Sequence, residues 1–370
     1  MKYYIIAGEA SGDLHGANLM RAILRRDPDA TIRYWGGDAM QSVTGVPVRH
    51  IRELAYMGFV EVALHLRTVL GNIQFCERDI LEFHPDVIVY IDYPGFNLKI
   101  AKFAHEHGFK NVHYISPQLW AWKKGRIKPM RRDLDKLCYI LPFEQDFYAH
   151  NNFPQAVYVG HPLLDAVAQF QASASISSID GRPIIALLPG SRKMELNKML
   201  PPMVRLAQKH PEYQFIIAGM TLLGDKFYEP YFQKTSNISV VYDKTYDLLS
   251  CAYAAVVCSG TATLETALFN VPQVVCYRAN PISVAIARPL IGNKIKYISL
   301  PNLIADEPIV TELIQDDVTD VRLQKEFDNI TRDNKFRQKI FDGYARLNTC
   351  LGNAGASDRT ADEIIKVMKQ

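Results

Sequence analysis

The chain has 370 residues, a length that at about 150 residues per domain suggests two domains. Its 42 lysines and arginines face 39 aspartates and glutamates. The resulting charge of +3 argues against a nucleic-acid footprint spread over the sequence, while leaving a local basic patch open. With 48% hydrophobic and 22% charged residues, the chain can bury a core and is not a disordered polymer.

The N-terminal stretch MKYYIIAGEASGD holds one lysine, but its apolar run 3–7 is too short for a signal peptide and reads as a buried strand. The small polar loop 8–13 brings Glu9, Ser11 and Asp13 to the end of that strand. There they either orient a polar ligand or cap the helical pattern that runs to about Arg26. Residues 32–35 form a second short strand before Gly36-Gly37. Phe59, Val62, Ala63, Leu66, Val69, Leu70 and Ile73 recur at helical spacing, as a core stripe or as a surface for acyl chains or a membrane. The run VIVYI at 87–91 is a buried strand that delivers Asp92, placed either as a general base or as a turn former.

A further strand covers 112–115. Beyond it, Trp120-Ala121-Trp122 opens a basic segment through Lys136, with seven Lys/Arg against two Asp. Aromatics beside bases suit nucleic acid, a phosphorylated substrate or an anionic membrane surface, or form a plain solvated face. Within it, Asp133-Leu134-Asp135 has the D-x-D form of a metal–nucleotide-sugar site, but Arg132 and Lys136 beside it favour a solvated segment.

The stretch QFQASASISSIDG at 169–181 reads as a linker. After it the rhythm restarts, with strands at 184–188, 215–218, 239–242, 254–258 and 274–277. Continuous apolar strands separated by helices predict parallel sheets covered on both faces, in two α/β domains. The charge-poor stretch 248–264 is interrupted by Cys258-Ser259-Gly260-Thr261 and reads as helix, strand, turn and helix, not as a membrane span. No repeat with a period of about 20–50 residues is present. The six cysteines (Cys76, Cys138, Cys251, Cys258, Cys276 and Cys350) form no C-x-x-C pair and are expected to be reduced and mostly buried.

Open α/β sheets bind ligands beyond the carboxyl ends of their strands. Strand 184–188 ends in Pro189-Gly190-Ser191-Arg192 before a helix. Glycine admits a close backbone approach, Ser191 offers a hydroxyl, Arg192 a fork of donors, and the helix start free N–H groups: an anion site, or an ordinary turn. Strand 254–258 runs into Ser259, Gly260 and Thr261 at a helix start, which suits a diphosphate. Glu265 then either accepts both hydroxyls of a ribose or complements the helix dipole. The fingerprints G-x-x-x-x-G-K-[ST] and G-x-G-x-x-G do not occur.

The ordered set AGEASGD (7–13), YMGFVEV (56–62), IDYPGFN (91–97), YISPQLWAW (114–122), LPFE (141–144), VGHPL (159–163), LLPGSR (187–192), SGTATLE (259–265) and SLPNLI (299–304) resembles the lipid-A-disaccharide synthase family, from the first strand to about Gln315. The resemblance implies a GT-B type α/β fold, with two Rossmann-like domains facing an inter-domain cleft. Residues 1–168 would form the acceptor domain and 182–345 the UDP-donor domain, with a helix in 346–370 packing back on the first.

It implies an inverting transfer of 2,3-diacylglucosamine from UDP-2,3-diacylglucosamine to 2,3-diacylglucosamine 1-phosphate, giving a β-1,6 disaccharide and UDP without a cofactor or metal. By this resemblance Asp92 is the base, with Glu9 and Asp13 as second choices. Ser11, Asn97, Trp120, Lys123, Arg126 and Asn302 bind substrate, while Gly190, Ser191, Arg192, Ser259, Gly260, Thr261 and Glu265 hold UDP. The family's turn after the first Asp often carries a second acid (D-x-P-D-F-N) where this chain has Gly95, and the acidic residue near Asp306 is shifted.

The expected setting is cytoplasmic, on the inner face of the cytoplasmic membrane, with no nucleic-acid partner. Two competing readings are an isomerase resembling UDP-GlcNAc 2-epimerase on the same fold, and a non-catalytic peripheral membrane module.

Overall fold

The apolar runs become strands whose two faces are both covered. The computed structural model describes residues 1–53, 66–121, 124–172, 176, 178, 180–232, 235–278 and 296–370. Phe59, Val62 and Ala63 of the helical stripe, together with Trp122 and Lys123, lie outside the described residues. The chain divides into two compact units, residues 1–165 with 353–370, and residues 166–352.

In the first unit, β1 (Lys2–Ala7), β2 (Thr31–Gly36), β3 (Arg49–His50), β4 (Val87–Ile91), β5 (Asn111–Tyr114), β6 (Lys136–Tyr139) and β7 (Ala156–Tyr158) form a parallel sheet of order β3-β2-β1-β4-β5-β6-β7. Side chains alternate across it, as the period of a strand requires. Tyr4, Ile6, Ile88 and Tyr90 pack on one face against helices Leu66–Phe83, Pro94–Glu106 and Ile127–Asp133. Tyr3, Ile5, Ala7, Val87, Val89 and Ile91 pack on the other, against helices Ala10–Arg26 and Ala356–Met368. Each such fully buried aliphatic side chain contributes about 1.5–3 kcal/mol, so losing either helical layer would unfold the sheet. The last helix is fastened at its start by Asp165, whose carboxylate accepts the N–H groups of Gly355, Ala356 (3.2 Å) and Ser357 (2.9 Å).

The second unit repeats the plan. Strands β8 (Ile184–Leu188), β9 (Gln214–Gly219), β10 (Ile238–Tyr242), β11 (Ala254–Cys258), β12 (Gln273–Tyr277) and β13 (Thr311–Ile314) run parallel in the order β10-β9-β8-β11-β12-β13. Ile184, Ala186 and Leu188 pack with Leu248, Leu249 and Val271 on one face.

In both sheets the chain winds one way from its first strand and then returns to add strands on the other side. The reversal falls between β1 and β4 in one unit and between β8 and β11 in the other. Such switch points open a crevice at the carboxyl ends of the two strands. Cys76, Cys138, Cys258 and Cys276 are buried, Cys251 and Cys350 are exposed, and all six are free thiols. Among the described residues, no helix is long and apolar enough to cross a membrane.

One close approach fixes the first switch point. A Cβ placed on Gly8 would lie 2.3 Å from the Tyr93 ring, whereas one on Gly95, inside a helix, would meet nothing within 4 Å. Gly8→Ala should therefore destabilise the fold by about 1–3 kcal/mol. Gly95→Ala should be neutral or stabilising by up to about 1 kcal/mol. Denaturant midpoints of the two variants measure the contrast.

Candidate active site

In the first unit, Ala7 of β1 pairs with Ile91 of β4, so the two strands end together and bring Glu9 and Asp92 to one place. The chain leaves β4 through two successive left-handed residues, Asp92 (φ 46°) and Tyr93 (φ 48°), before Pro94 starts a helix. Each non-glycine residue in that region costs about 1–3 kcal/mol and persists only when its surroundings hold it. The holding groups are specific. The Asp92 N–H donates to the Tyr114 carbonyl of β5 at 3.0 Å. The Asn97 Nδ2 donates to the Asp92 carbonyl at 2.7 Å and to that of Ile91 at 3.4 Å. The Tyr93 ring stacks on Phe96 with centroids 5.6 Å apart.

The Asp92 carboxyl is held up at about 7, mainly because burial penalises its charge and secondly because the Glu9 charge lies near; the Tyr93 N–H opposes both. A carboxylate tuned to neutrality at a switch point can take and return a proton under working conditions.

The other candidates of this unit divide. Asp13 is spent on the fold, with its oxygens accepting the N–H groups of Gly37 (2.7 Å), Ala39 (2.9 Å) and Met40 (3.0 Å). Asn97 is fully buried and acts on the Asp92 turn from beneath. Ser11 is exposed on the first turn after β1. Gly95 leaves the position of a second acid open, without a side chain.

At the end of β5, Ile115 is also left-handed (φ 66°), and the Ser116 hydroxyl after it donates to Glu144 Oε1 at 2.6 Å. Glu144 is 1% exposed, and burial pushes its carboxyl up to about 8. Its one signal in the sequence is an acid closing the otherwise apolar LPFE. The Trp120 ring meets Phe143 edge-on at 5.0 Å.

Arg126 is half-buried, which lowers its guanidinium pKa, and it has no ion pair among the described residues. The basic segment is less uniform than its sequence. Arg132 pairs with Asp133, Lys136 pairs with Glu363, and Arg131 donates to backbone carbonyls, whereas Lys124 and Lys128 are exposed. Asp133, expected on a solvated segment, is buried at the end of helix Ile127–Asp133, just before β6, while its partner Arg132 stays exposed. Asp133 precedes the N-terminal end of its strand, whereas Asp92 follows the C-terminal end of β4, so the two lie at opposite ends of the parallel strands.

In the second unit, Leu188 pairs with Val257, which aligns the loops after β8 and β11. Gly190 is left-handed (φ 110°), and a Cβ there would lie 2.6 Å from Glu195 Oε2. Glu195 was not foreseen. Its carboxylate folds back over the helix start, accepts the N–H groups of Ser191 and Arg192 at 3.3 Å each, and pairs with the Arg192 guanidinium at 3.5 Å. Ser191 and Arg192 present their side chains to solvent.

After β11, the Ser259 hydroxyl donates to the Ile298 carbonyl at 3.0 Å. Gly260 and Thr261 are exposed at the start of helix Thr261–Leu268, which has no side-chain cap, so its positive end stays open to an anion. Glu265, one turn into that helix, accepts the Tyr246 hydroxyl at 3.0 Å, and burial raises its pKa.

Asn302 was expected to touch a sugar, yet its amide is consumed within the unit. Nδ2 donates to Val310 O and Glu312 Oε1, and Oδ1 accepts the Val310 N–H, all at 2.9 Å. Glu312 also accepts the N–H of Ser299 at 2.9 Å and its hydroxyl at 2.6 Å, so it ties the SLPNLI segment to β13.

Two parallel sheets of nucleotide-binding type, each with polar loops at its switch point, define the GT-B class shared by glycosyltransferases and nucleotide-sugar epimerases. A UDP-GlcNAc 2-epimerase from Neisseria meningitidis, solved with UDP-GlcNAc bound, superposes with a TM-score of 0.69 at 12% identity, covering 99% of this chain and 100% of that one. The glycotransferase of kitacinnamycin gives 0.69 at 14% identity, with 99% and 98% covered. These likenesses are of fold.

Sequence goes further. The family model described as lipid-A-disaccharide synthetase matches residues 3–359. The lipid-A-disaccharide synthase of Geobacter sulfurreducens is 36% identical over 373 aligned residues, covering 98% of this chain and 96% of that protein. That of Coxiella burnetii (strain CbuG_Q212) is 34% identical over 369, covering 97% and 96%. The chain belongs to the lipid-A-disaccharide synthase family.

The raised Asp92 carboxyl carries a linkage. Below about pH 4 it is protonated both folded and unfolded and contributes nothing. Between about pH 4 and 7 the unfolded chain ionises while the folded carboxyl stays protonated, so stability falls, and above about 7 both are ionised with the charge buried only in the folded state. Asp92→Asn, which also tolerates the left-handed backbone, should raise stability at pH 8 by about 1–2 kcal/mol, with the gain fading as pH falls to 4. Thermal melts across that range read the effect.

Proposed function

We propose that the protein transfers 2,3-diacylglucosamine from its UDP conjugate to the 6-hydroxyl of 2,3-diacylglucosamine 1-phosphate, with Asp92 as the base. As a member of its family it is a glycosyltransferase that forms the lipid A disaccharide. The observation that carries the assignment of the base is the Asp92 carboxyl, poised near neutrality at the end of β4 and held there by Asn97 and Tyr114. It takes the proton of the attacking hydroxyl as that oxygen reaches the anomeric carbon. One base and one displacement give inversion, by analogy with the single-displacement glycosidases. Glu9 stands beside it as a second carboxylate.

The second unit holds the donor. The open start of helix Thr261–Leu268, with Ser259, Gly260 and Thr261, takes the diphosphate, and the Arg192 guanidinium and Ser191 hydroxyl add donors from the loop after β8. These groups stabilise the charge that builds on the departing UDP. Glu265 accepts from the ribose. In the first unit, Trp120, Arg126 and Ser11 serve the acceptor, with Arg126 as the cation for its phosphate. Lys124 and Lys128, with the aromatic loop, meet the anionic surface of the membrane that carries the acyl chains, each contributing about 1 kcal/mol.

Product analysis, kinetics and vesicle binding test this. Mass spectrometry of the product from the two diacylated substrates should show the disaccharide phosphate. Asp92→Asn should cut kcat by about 10²–10⁴ while UDP still binds. The wild-type rate should rise with pH and level off above about 7, because only the ionised carboxylate accepts the proton. Conversion of UDP-GlcNAc to UDP-ManNAc would move the protein to the isomerases instead. Sedimentation with anionic vesicles should occur at low salt and fail at high salt; binding indifferent to salt would remove the electrostatic contact.

A further inference from the structure

We propose that Tyr246 is a positioning residue that biases the grip of Glu265 on the nucleotide's ribose toward one carboxylate oxygen, so that one of the two ribose hydroxyls contributes most of the affinity. The inference rests on the reading of Glu265 as the ribose acceptor and refines it. A bidentate grip on a cis-diol needs both oxygens of a carboxylate, one for each hydroxyl. Here Oε1 already accepts the Tyr246 hydroxyl at 3.0 Å, which takes one of its two lone pairs, so a ribose hydroxyl at Oε1 must share that oxygen while one at Oε2 need not. The two residues lie 19 apart in sequence, Tyr246 on helix Thr245–Cys251 and Glu265 on helix Thr261–Leu268, and the strand β11 between them brings them together.

The tyrosine is not free to swing away. Its ring meets Phe269 at 5.1 Å and Phe170 at 5.6 Å, and those two rings meet each other at 5.5 Å, so three aromatics wedge the hydroxyl against Oε1. Among the described residues, no protein donor is recorded on Oε2, which leaves it as the acceptor for a ligand. Burial of Glu265 raises its pKa and the Tyr246 hydrogen bond lowers it, so the same contact that occupies one oxygen helps keep the other charged.

The test compares binding of UDP, 2′-deoxy-UDP and 3′-deoxy-UDP to the full-length wild type, Tyr246→Phe and Glu265→Gln. Phenylalanine keeps the aromatic wedge and removes only the hydroxyl. In the wild type, one deoxy analogue should bind about tenfold more weakly than UDP and the other within about threefold, as expected for one hydrogen bond to a charged group. In Tyr246→Phe the freed oxygen should bring the two losses together. Equal losses for both analogues in the wild type, or an asymmetry that Tyr246→Phe leaves intact, would overturn the role of Tyr246. The wild-type comparison stands even if the variant is unstable. Failure of the underlying reading has a different signature: neither deoxy analogue is penalised, and Glu265→Gln binds UDP as the wild type does.

Discussion

The in-register pairing of the two central strands in each sheet is the constraint on which the rest depends. Ala7 lies against Ile91 and Leu188 against Val257, so the loops that follow each pair begin at the same height. A slip of one residue would invert every buried side chain of a strand and carry its loop out of line. Register is fixed in turn by burial: β1, β4, β8 and β11 are apolar on both faces, and helices cover both. The hydrophobic core thus sets the position of polar groups that contribute nothing to it.

At the first switch point, that order carries a local cost. Asp92 and Tyr93 are both left-handed, and the carboxyl they present is partly desolvated and near a second acid. The cost is offset by a neutral framework: the Tyr114 carbonyl, the Asn97 amide, the Tyr93–Phe96 stack and the bare backbone of Gly8. Among the described residues, no cation is recorded in contact with Asp92. A lysine or arginine there would relieve the carboxylate and lower its pKa, which would make it a weaker base. Held by uncharged groups, it keeps both its orientation and its basicity.

Much of this was legible in the sequence, because parallel strands buried on both faces write themselves as continuous apolar runs. Strands 87–91, 184–188 and 254–258 match to the residue. The short strands β3, β6, β7 and β13 escaped notice: two to four residues are too few to show a strand's period, and most lie toward the sheet edges. The strand-end rule led directly to Glu9, Asp92, Ser259 and Glu265. It did not find Glu144, Glu195, Tyr246 or Glu312, whose roles come from what each side chain meets in the folded unit. Nor could it tell that Asp13 and Asn302 have their hydrogen bonds taken up inside the fold. A one-dimensional pattern shows where a polar residue stands along an element, but not which neighbours compete for it.

The carboxylate of Glu195 has a consequence for selectivity. It sits on the N–H groups of Ser191 and Arg192, where an incoming anion would otherwise find them free. A ligand that reaches them exchanges one anion for another, and the Coulomb gain at those two groups nearly cancels. Free phosphate and other small anions, which offer charge and little else, therefore gain little from this loop. A larger ligand brings contacts elsewhere that tip the exchange. The loop is, in effect, closed by its own carboxylate.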